Sequence, residues 1–202
     1  MAAAPQLMKI DLPVRDRLMR AAIDLFAEKG FERTSVREIV QAAGVTKGGL
    51  YHYFDSKDDL LYEIYTRMLR MQTARMEIIA DTDRPLAERV HTIIADVVET
   101  SLANLEEATI FFQSVHLLEP QRQEQVRAER RRYHDRMCAL VEEGQQAGVF
   151  RADVPAELVI NYHFGAIHRM GLWYRRNGAL TAEQIGRYFA DLALSSLRPD
   201  TP

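Results

Sequence analysis

Between Thr34 and Leu60 the chain reads TSVREIVQAAGVTKGGLYHYFDSKDDL, and no other stretch limits the fold so tightly. Val36, Ile39, Val40 and Ala43 recur at i, i+3, i+4 and i+7, which predicts a helix of about two turns with a single apolar stripe. Ser35 with Glu38 three residues on forms a capping box for its start, with Thr34 as the other candidate N-cap. Gly44 suits the left-handed residue after a helix C-terminus, where a side chain is penalised. Val45 then plugs inward, Thr46 caps the next helix, and Leu50 and Phe54 lie four apart on its buried face. At about 100° per residue, Gly48, Gly49, Tyr51 and His52 project the other way, with Lys47 at the flank.

Glycines on a surface helix cost roughly 1 kcal/mol each against alanine, so two on the outward face point to something that approaches closely. A polynucleotide backbone fits, because a helix N-terminus offers N–H groups to phosphate and Lys47 and Lys57 bracket it with positive charge. The whole chain carries a formal net charge of −3. DNA affinity must therefore be local. From Lys29 to Lys57 the cations Lys29, Arg33, Arg37, Lys47 and Lys57 face only Glu32, Glu38 and Asp55. Two copies in a dimer would double that modest attraction.

These residues, with the preceding LFAEKGFERTSV from Leu25 to Val36, resemble the DNA-binding domain of TetR-family transcriptional regulators. The resemblance lies in the turn of AGVTKGGLYHYFDSKDDL, its Leu-Tyr-x-x-Phe recognition helix and its Ser-Lys-x-x-Leu entry to the following helix. It is strong over about the first quarter of the chain and architectural beyond. It implies that Thr34 and Ser35 contact phosphate, that Arg37 contacts a base, and that Thr46, Lys47, Gly48 and Gly49 form the tip of the recognition helix. Tyr51, His52, Tyr53 and Lys57 match positions that hold phosphates or base edges. Gly49 departs from the family, where Thr or Ser is common, and lacks a hydroxyl that could read a base.

The rest of the chain reads as helices. Residues 1–12 form a loose arm, Pro13 opens a helix to Lys29 with Leu18, Ala22, Leu25 and Phe26 inward, and Phe31 folds back beyond Gly30. Ser56 with Asp59 opens a helix running through Leu60, Leu61, Ile64, Met68, Met71 and Met76 to about Ala80. Further helices are expected to about Leu105, over Ala108–Leu118, to about Ala147 before Gly148, over Ala156–Arg176, and from Thr181 to Leu197 behind a Thr181–Gln184 capping box. No period-2 pattern appears. The fold class is thus all-α with about nine helices: an arm and helix-turn-helix domain over 1–55, a connecting helix over 56–80, and an effector-binding and dimerisation domain over 81–202.

Leu158 to Tyr174 is apolar on nearly every side, and Ile185, Tyr188, Phe189 and Leu192 make a second stripe. A four-helix interface of the Ala156–Arg176 and Thr181–Leu197 helices with their symmetry mates covers both, and the resembling family dimerises in this way. Two recognition helices on one two-fold axis read half-sites about 34 Å apart, or a multiple, so the operator is expected to be palindromic.

Other chemistry finds little footing. His163 and His168 are five apart and His116 and His134 lack partner ligands, so no metal is expected; no nucleophile elbow, phosphate loop or cofactor motif occurs, so neither a cofactor nor a catalytic residue is assigned. Cys138 is the only cysteine, and with no signal peptide and no run of about 18 apolar residues the expected setting is the cytoplasm. Arg127, Arg130, Arg131, Arg132 and Arg136 crowd one helix among Glu124, Glu129 and Asp135, either as a salt-bridged surface or as the mouth of a site for an anion such as a coenzyme A phosphate. Met68, Met71, Phe111, Phe112, His116, Met137, Phe164, His168 and Trp173 are either plain core or the wall of a pocket for a long apolar effector. The stretch Trp173 to Thr181 resembles, more weakly, TetR-family regulators of fatty-acid and sterol-ring breakdown that respond to acyl-CoA thioesters. The competing classes are a helical adaptor whose helix-turn-helix reads no DNA and a small all-α enzyme.

Overall fold

A computed structural model describes residues 12–199, apart from the side chain of Phe111; the arm expected over 1–12 lies outside it except for Leu12. Among the described residues there are α-helices and one 3-10 turn and no strand. The helices are α1 (Val14–Lys29), α2 (Val36–Ala43), α3 (Lys47–Tyr51), α4 (Lys57–Ala80), α5 (Leu86–Ala103), α6 (Leu105–Ser114), α7 (Pro120–Gln146), α8 (Ala156–His168), α9 (Met170–Trp173) and α10 (Ala182–Ser196). The chain divides into two compact units, Met1–Ile64 and Tyr65–Pro202, and the boundary falls within α4.

In the first unit, Leu18, Met19, Ala22 and Phe26 of α1 bury their side chains with Ile39 and Ala43 of α2, Leu50, Phe54 and the first turns of α4. Each junction has a local cause. Ser35 and Glu38 make the full capping box of α2. Gly44 takes φ +63° and ψ 40°, the left-handed conformation that stops α2 and reverses the chain. Phe31 packs edge-on to Phe26 with ring centroids 5.2 Å apart, holding the turn after α1. Ser56 caps α4 by accepting from the Asp59 amide at 3.0 Å, and the Asp59 carboxylate accepts from the amide of Asp55 at 3.2 Å.

In the second unit α5 packs along α10, and α7 lies against α5 and α8. Val90, Ile93, Ile94, Val97, Val98 and Leu102 of α5 form the central apolar row, met by Met137, Leu140 and Val141 of α7, Ile160 and Ile167 of α8 and Ile185 and Ala190 of α10. Thr181 and Gln184 cap α10 reciprocally. The helix expected to run unbroken from Ala156 to Arg176 instead breaks at Arg169 into α8 and α9. Short α9 packs against α6, and a Cβ at Gly171 would sit 3.0 Å from the Thr109 hydroxyl oxygen; the bare glycine lets the two backbones close.

Lys57 holds the first unit together from within. Its Nζ donates to the carbonyl oxygens of Phe31 at 2.8 Å and Thr34 at 2.9 Å and lies 4.3 Å from the Phe31 ring centroid. Burial lowers its pKa. Replacing it, as in Lys57→Met, leaves two carbonyls of the α1–α2 loop without their donor, which costs about 1–3 kcal/mol. Urea unfolding of the full chain should show that loss, whereas Arg37→Met, at an exposed position, should leave stability within about 0.5 kcal/mol.

Candidate nucleic-acid interface and effector cavity

The turn between α2 and α3 positions the first site. Gly44 and Val45 donate to the carbonyls of Gln41 and Val40, which pins the loop, and Thr46 accepts from the Gly49 amide at 3.0 Å to start α3. Leu50 and Phe54 are fully buried. That burial fixes the rotation of α3 about its axis, so Lys47, Gly48, Tyr51, His52 and Tyr53 are exposed, with Tyr51 46% accessible despite its size. Lys47 Nζ lies 5.7 Å from the Tyr51 ring centroid, and His52 packs edge-on to Tyr53.

Neither glycine of α3 is demanded by the fold. Positive φ occurs only at Gly30, Gly44 and Gly148 among the described residues. A Cβ at Gly48 would meet only the Thr46 hydroxyl at 3.9 Å, and one at Gly49 would make ordinary contacts of 3.4 Å or more. The chain itself leaves room for side chains that the sequence omits.

The other residues expected to meet DNA divide. Arg37 and Ser35 are exposed, although the Ser35 hydroxyl is engaged with Glu38 in the cap. Lys29 pairs with Glu38 at 2.8 Å, and that bond, with those from Ser35, holds the carboxyl at about 2. Thr34 and Lys57 make internal contacts. Thr34 is buried and its hydroxyl lies 2.9 Å from the Gly30 carbonyl oxygen, while Lys57 is turned onto the carbonyls of Phe31 and Thr34. Backbone carbonyls leave no signature in a sequence, so a lysine opening a helix beside a basic loop reads there as a phosphate ligand.

The second site is a cavity of about 550 Å³ in the second unit, walled by α4, α5, α6, α7 and α8. Met68, Leu69, Val97, Phe112, Phe164 and Ile167 give it an apolar body. Of the residues expected to line a pocket, Met68, Phe112, Phe164 and His168 do so. Met71, Met137, His116 and Trp173 do not line it: Met137 is buried in the core, His116 is exposed with its carbonyl accepting from Gln123, and Trp173 stacks on Phe189. The Phe111 side chain lies outside the described residues.

Arg127, Arg130, Arg131 and His134 also line the cavity, on one face of α7 at i, i+3, i+4 and i+7. That spacing is present in the sequence and distinguishes them from their neighbours. Arg136 binds Glu77 and Asp81 at 3.1 and 3.2 Å, and Arg132 lies 3.4 Å from Glu129. The cluster therefore divides: Arg132 and Arg136 belong to a salt-bridged surface, and Arg127, Arg130 and Arg131 line the cavity. Opposite them, Gln72 is buried on α4 and donates to the Thr100 and Ser101 hydroxyls at 3.0 and 3.1 Å, which puts a polar group on an apolar wall.

The fold and these two sites define a class: a helix-turn-helix DNA-binding regulator with a cavity in its second helical unit. Two family models match, that of the bacterial regulatory proteins of the tetR family over residues 18–64 and that of the tetracyclin repressor-like C-terminal domain over residues 83–197. The chain belongs to the TetR family of transcriptional regulators. It is 28% identical over 184 residues to the HTH-type transcriptional repressor KstR2 of Mycobacterium tuberculosis, covering 91% of this chain and 92% of the relative. The structure of that ketosteroid transcriptional regulator superposes with a TM-score of 0.83 at 26% identity, over 98% of this chain and 100% of the other. The TetR-family regulator PfmR of Thermus thermophilus gives a TM-score of 0.82 at 31% identity, over 91% and 100%. The protein is a DNA-binding transcriptional regulator, and members of its family act as homodimers on DNA operators and bind small molecules. No helix among the described residues is long and apolar enough to cross a membrane.

His168 lies between the Phe112 and Phe164 rings, and burial, aided by Arg130, lowers its pKa to about 4 from the ordinary 6.5. The folded state thus prefers the neutral ring. The stability this gives is complete above 6.5 and is lost as pH falls towards 4. Thermal melts of wild type and His168→Gln between those limits should show a smaller acid loss in the variant.

Proposed function

We propose that the protein is a homodimeric repressor released from a palindromic operator when an elongated, largely apolar and anionic effector, of the acyl-CoA type, fills the cavity of the second unit. The observation that carries this reading is the placing of Arg127, Arg130 and Arg131 on the wall that also bears Met68, Phe112 and Phe164. An apolar cavity alone would suit a neutral hydrocarbon. Guanidinium groups at its mouth favour a ligand whose far end carries carboxylate or phosphate, and Arg is the side chain best shaped for either. The relatedness to KstR2, a ketosteroid transcriptional regulator, supports an effector drawn from lipid breakdown.

DNA contact is assigned to Ser35, Arg37, Thr46, Lys47, Gly48, Gly49, Tyr51, His52 and Tyr53. The two subunits meet through α8, α9 and α10, whose Leu158, Tyr162, Leu172, Tyr188 and Leu192 are among the large apolar side chains left exposed, Tyr162 by 73%. Helix α4 carries both Lys57, which secures the loop before α2, and Met68, Leu69 and Gln72 of the cavity wall. An effector that favours one setting of α4 shifts the population of the DNA-competent state by its differential affinity for the two states.

Two outcomes test this reading. Tyr51→Ala and Lys47→Ala should each weaken binding to a selected operator by about 1–3 kcal/mol, roughly ten- to a hundredfold, in mobility-shift titrations, with melting temperature unchanged. The double variant Arg127→Gln/Arg131→Gln should keep operator affinity while requiring at least tenfold more acyl-CoA for release. Operator release at wild-type effector concentrations would remove the anion-binding role of α7.

A further inference from the structure

A second cavity of about 440 Å³ adjoins the first. Leu105, Ala108, Met170 and Leu172 contribute to its wall, with Thr109, Gln113 and the exposed Arg169 as polar members, and none of the three α7 arginines reaches it. The two cavities share Ser101, Phe112, Gly165, Ile167 and His168. Phe112 from α6 and His168 from the last turn of α8 meet in that shared zone with ring centroids 4.1 Å apart and an interplanar angle of 39°.

We propose that the Phe112–His168 ring pair is a partition that limits the length of the effector, and that the chamber behind it is a subsite for the apolar far end of a longer one. The proposal rests on the reading of the larger cavity as the effector site. Its physical basis is the order of side chains along the two chambers: the α7 arginines on the wall of the first, rings at the junction, and Leu105, Ala108, Met170 and Leu172 beyond, with Arg169 as the one cation there among the described residues. A ligand anchored by its anionic end at α7 must direct its apolar end towards the rings. Each methylene buried there adds binding energy until the chain meets the partition, and further carbons then have to displace a ring or fold back.

Both sides of the partition rest on elements that could let it part. Phe112 stands two residues before the end of α6, where the chain turns into the 3-10 segment Val115–Leu117, and His168 immediately precedes the break at Arg169. The pair is thus placed to set a length limit that small changes at two positions would move.

The test is calorimetric titration of the full chain with a graded series of straight-chain carboxylates, hexanoate to stearate, and their CoA thioesters. Wild type should gain affinity with length up to a cutoff and then level off or weaken. Phe112→Ala and His168→Ala should each move the cutoff to longer chains, so that the affinity of the first chain beyond the wild-type limit, taken relative to that of a shorter chain in the same variant, rises at least tenfold. Adding Ala108→Leu to Phe112→Ala should return the cutoff towards wild type by filling the second chamber. Phe112→Leu, which keeps an apolar side chain in α6, gives the same readout in reduced form should the alanine variant melt early. An unchanged cutoff in these variants, with short chains still bound, overturns the partition and leaves the cavity as effector site. Failure of every carboxylate and thioester to bind wild type overturns that reading, and the partition with it.

Discussion

The burial of Leu50 and Phe54 is the contact on which the regulator depends. Helix α3 is too short to hold itself in place, since a few residues cannot repay the cost of nucleating a helix. Two side chains sunk into the core of the first unit, with the Thr46 cap and the Gly44 turn, fix both its position and its rotation. Everything on the opposite side follows geometrically: if Leu50 faces in, Gly48, Tyr51 and His52 face out. Lys57 supports this arrangement indirectly, by holding the carbonyls of the loop that delivers α2 to its partner helix. A cation that could have met phosphate is committed to the scaffold, so the outward charge of α3 comes from Lys47.

The second unit solves a different problem, that of keeping a space open in a helical core. Its central α5 is packed on one side by α10, while the cavity draws on α4, α6, α7 and α8 around it. Polar groups are sorted by position. Arginines stand at the exposed end on α7, where their stems can lie along apolar surface and their charges remain solvated. Gln72 sits deep, satisfied by hydroxyls of α5. Charged groups of the cavity wall thus stand near solvent, where desolvation is small, and rings and aliphatic chains line the part where burial gains most.

Much of this was legible in the sequence because its determinants are local. The capping pairs Ser35–Glu38 and Thr181–Gln184, the turn at Gly44 and the inward spacing of Leu50 and Phe54 each depend on residues a few positions apart. What escaped depends on partners distant in sequence. Thr34 and Lys57 look like surface polar residues until the α1–α2 loop is folded beside them. At the break at Arg169 the chain brings Gly171 close to Thr109 on another helix, a contact between residues distant in sequence. Of the pocket residues, Met68, Phe112, Phe164 and His168 were recognisable by type, but Met137 is of similar type and belongs to the packed core. The arginines of α7 show the opposite case: their spacing was visible, and only the cavity opposite them separates Arg127, Arg130 and Arg131 from Arg132 and Arg136.

The measurement that bears most directly on the account is selection of bound duplexes from a random DNA pool by the purified full chain, followed by footprinting of the winner. Outward α3 helices in a two-fold dimer predict enrichment of one inverted repeat, with protection of two major-groove patches centred about 34 Å apart or at a multiple of that distance. A pool that stays random through successive rounds, or a winner protected over a single patch without symmetry, would contradict it.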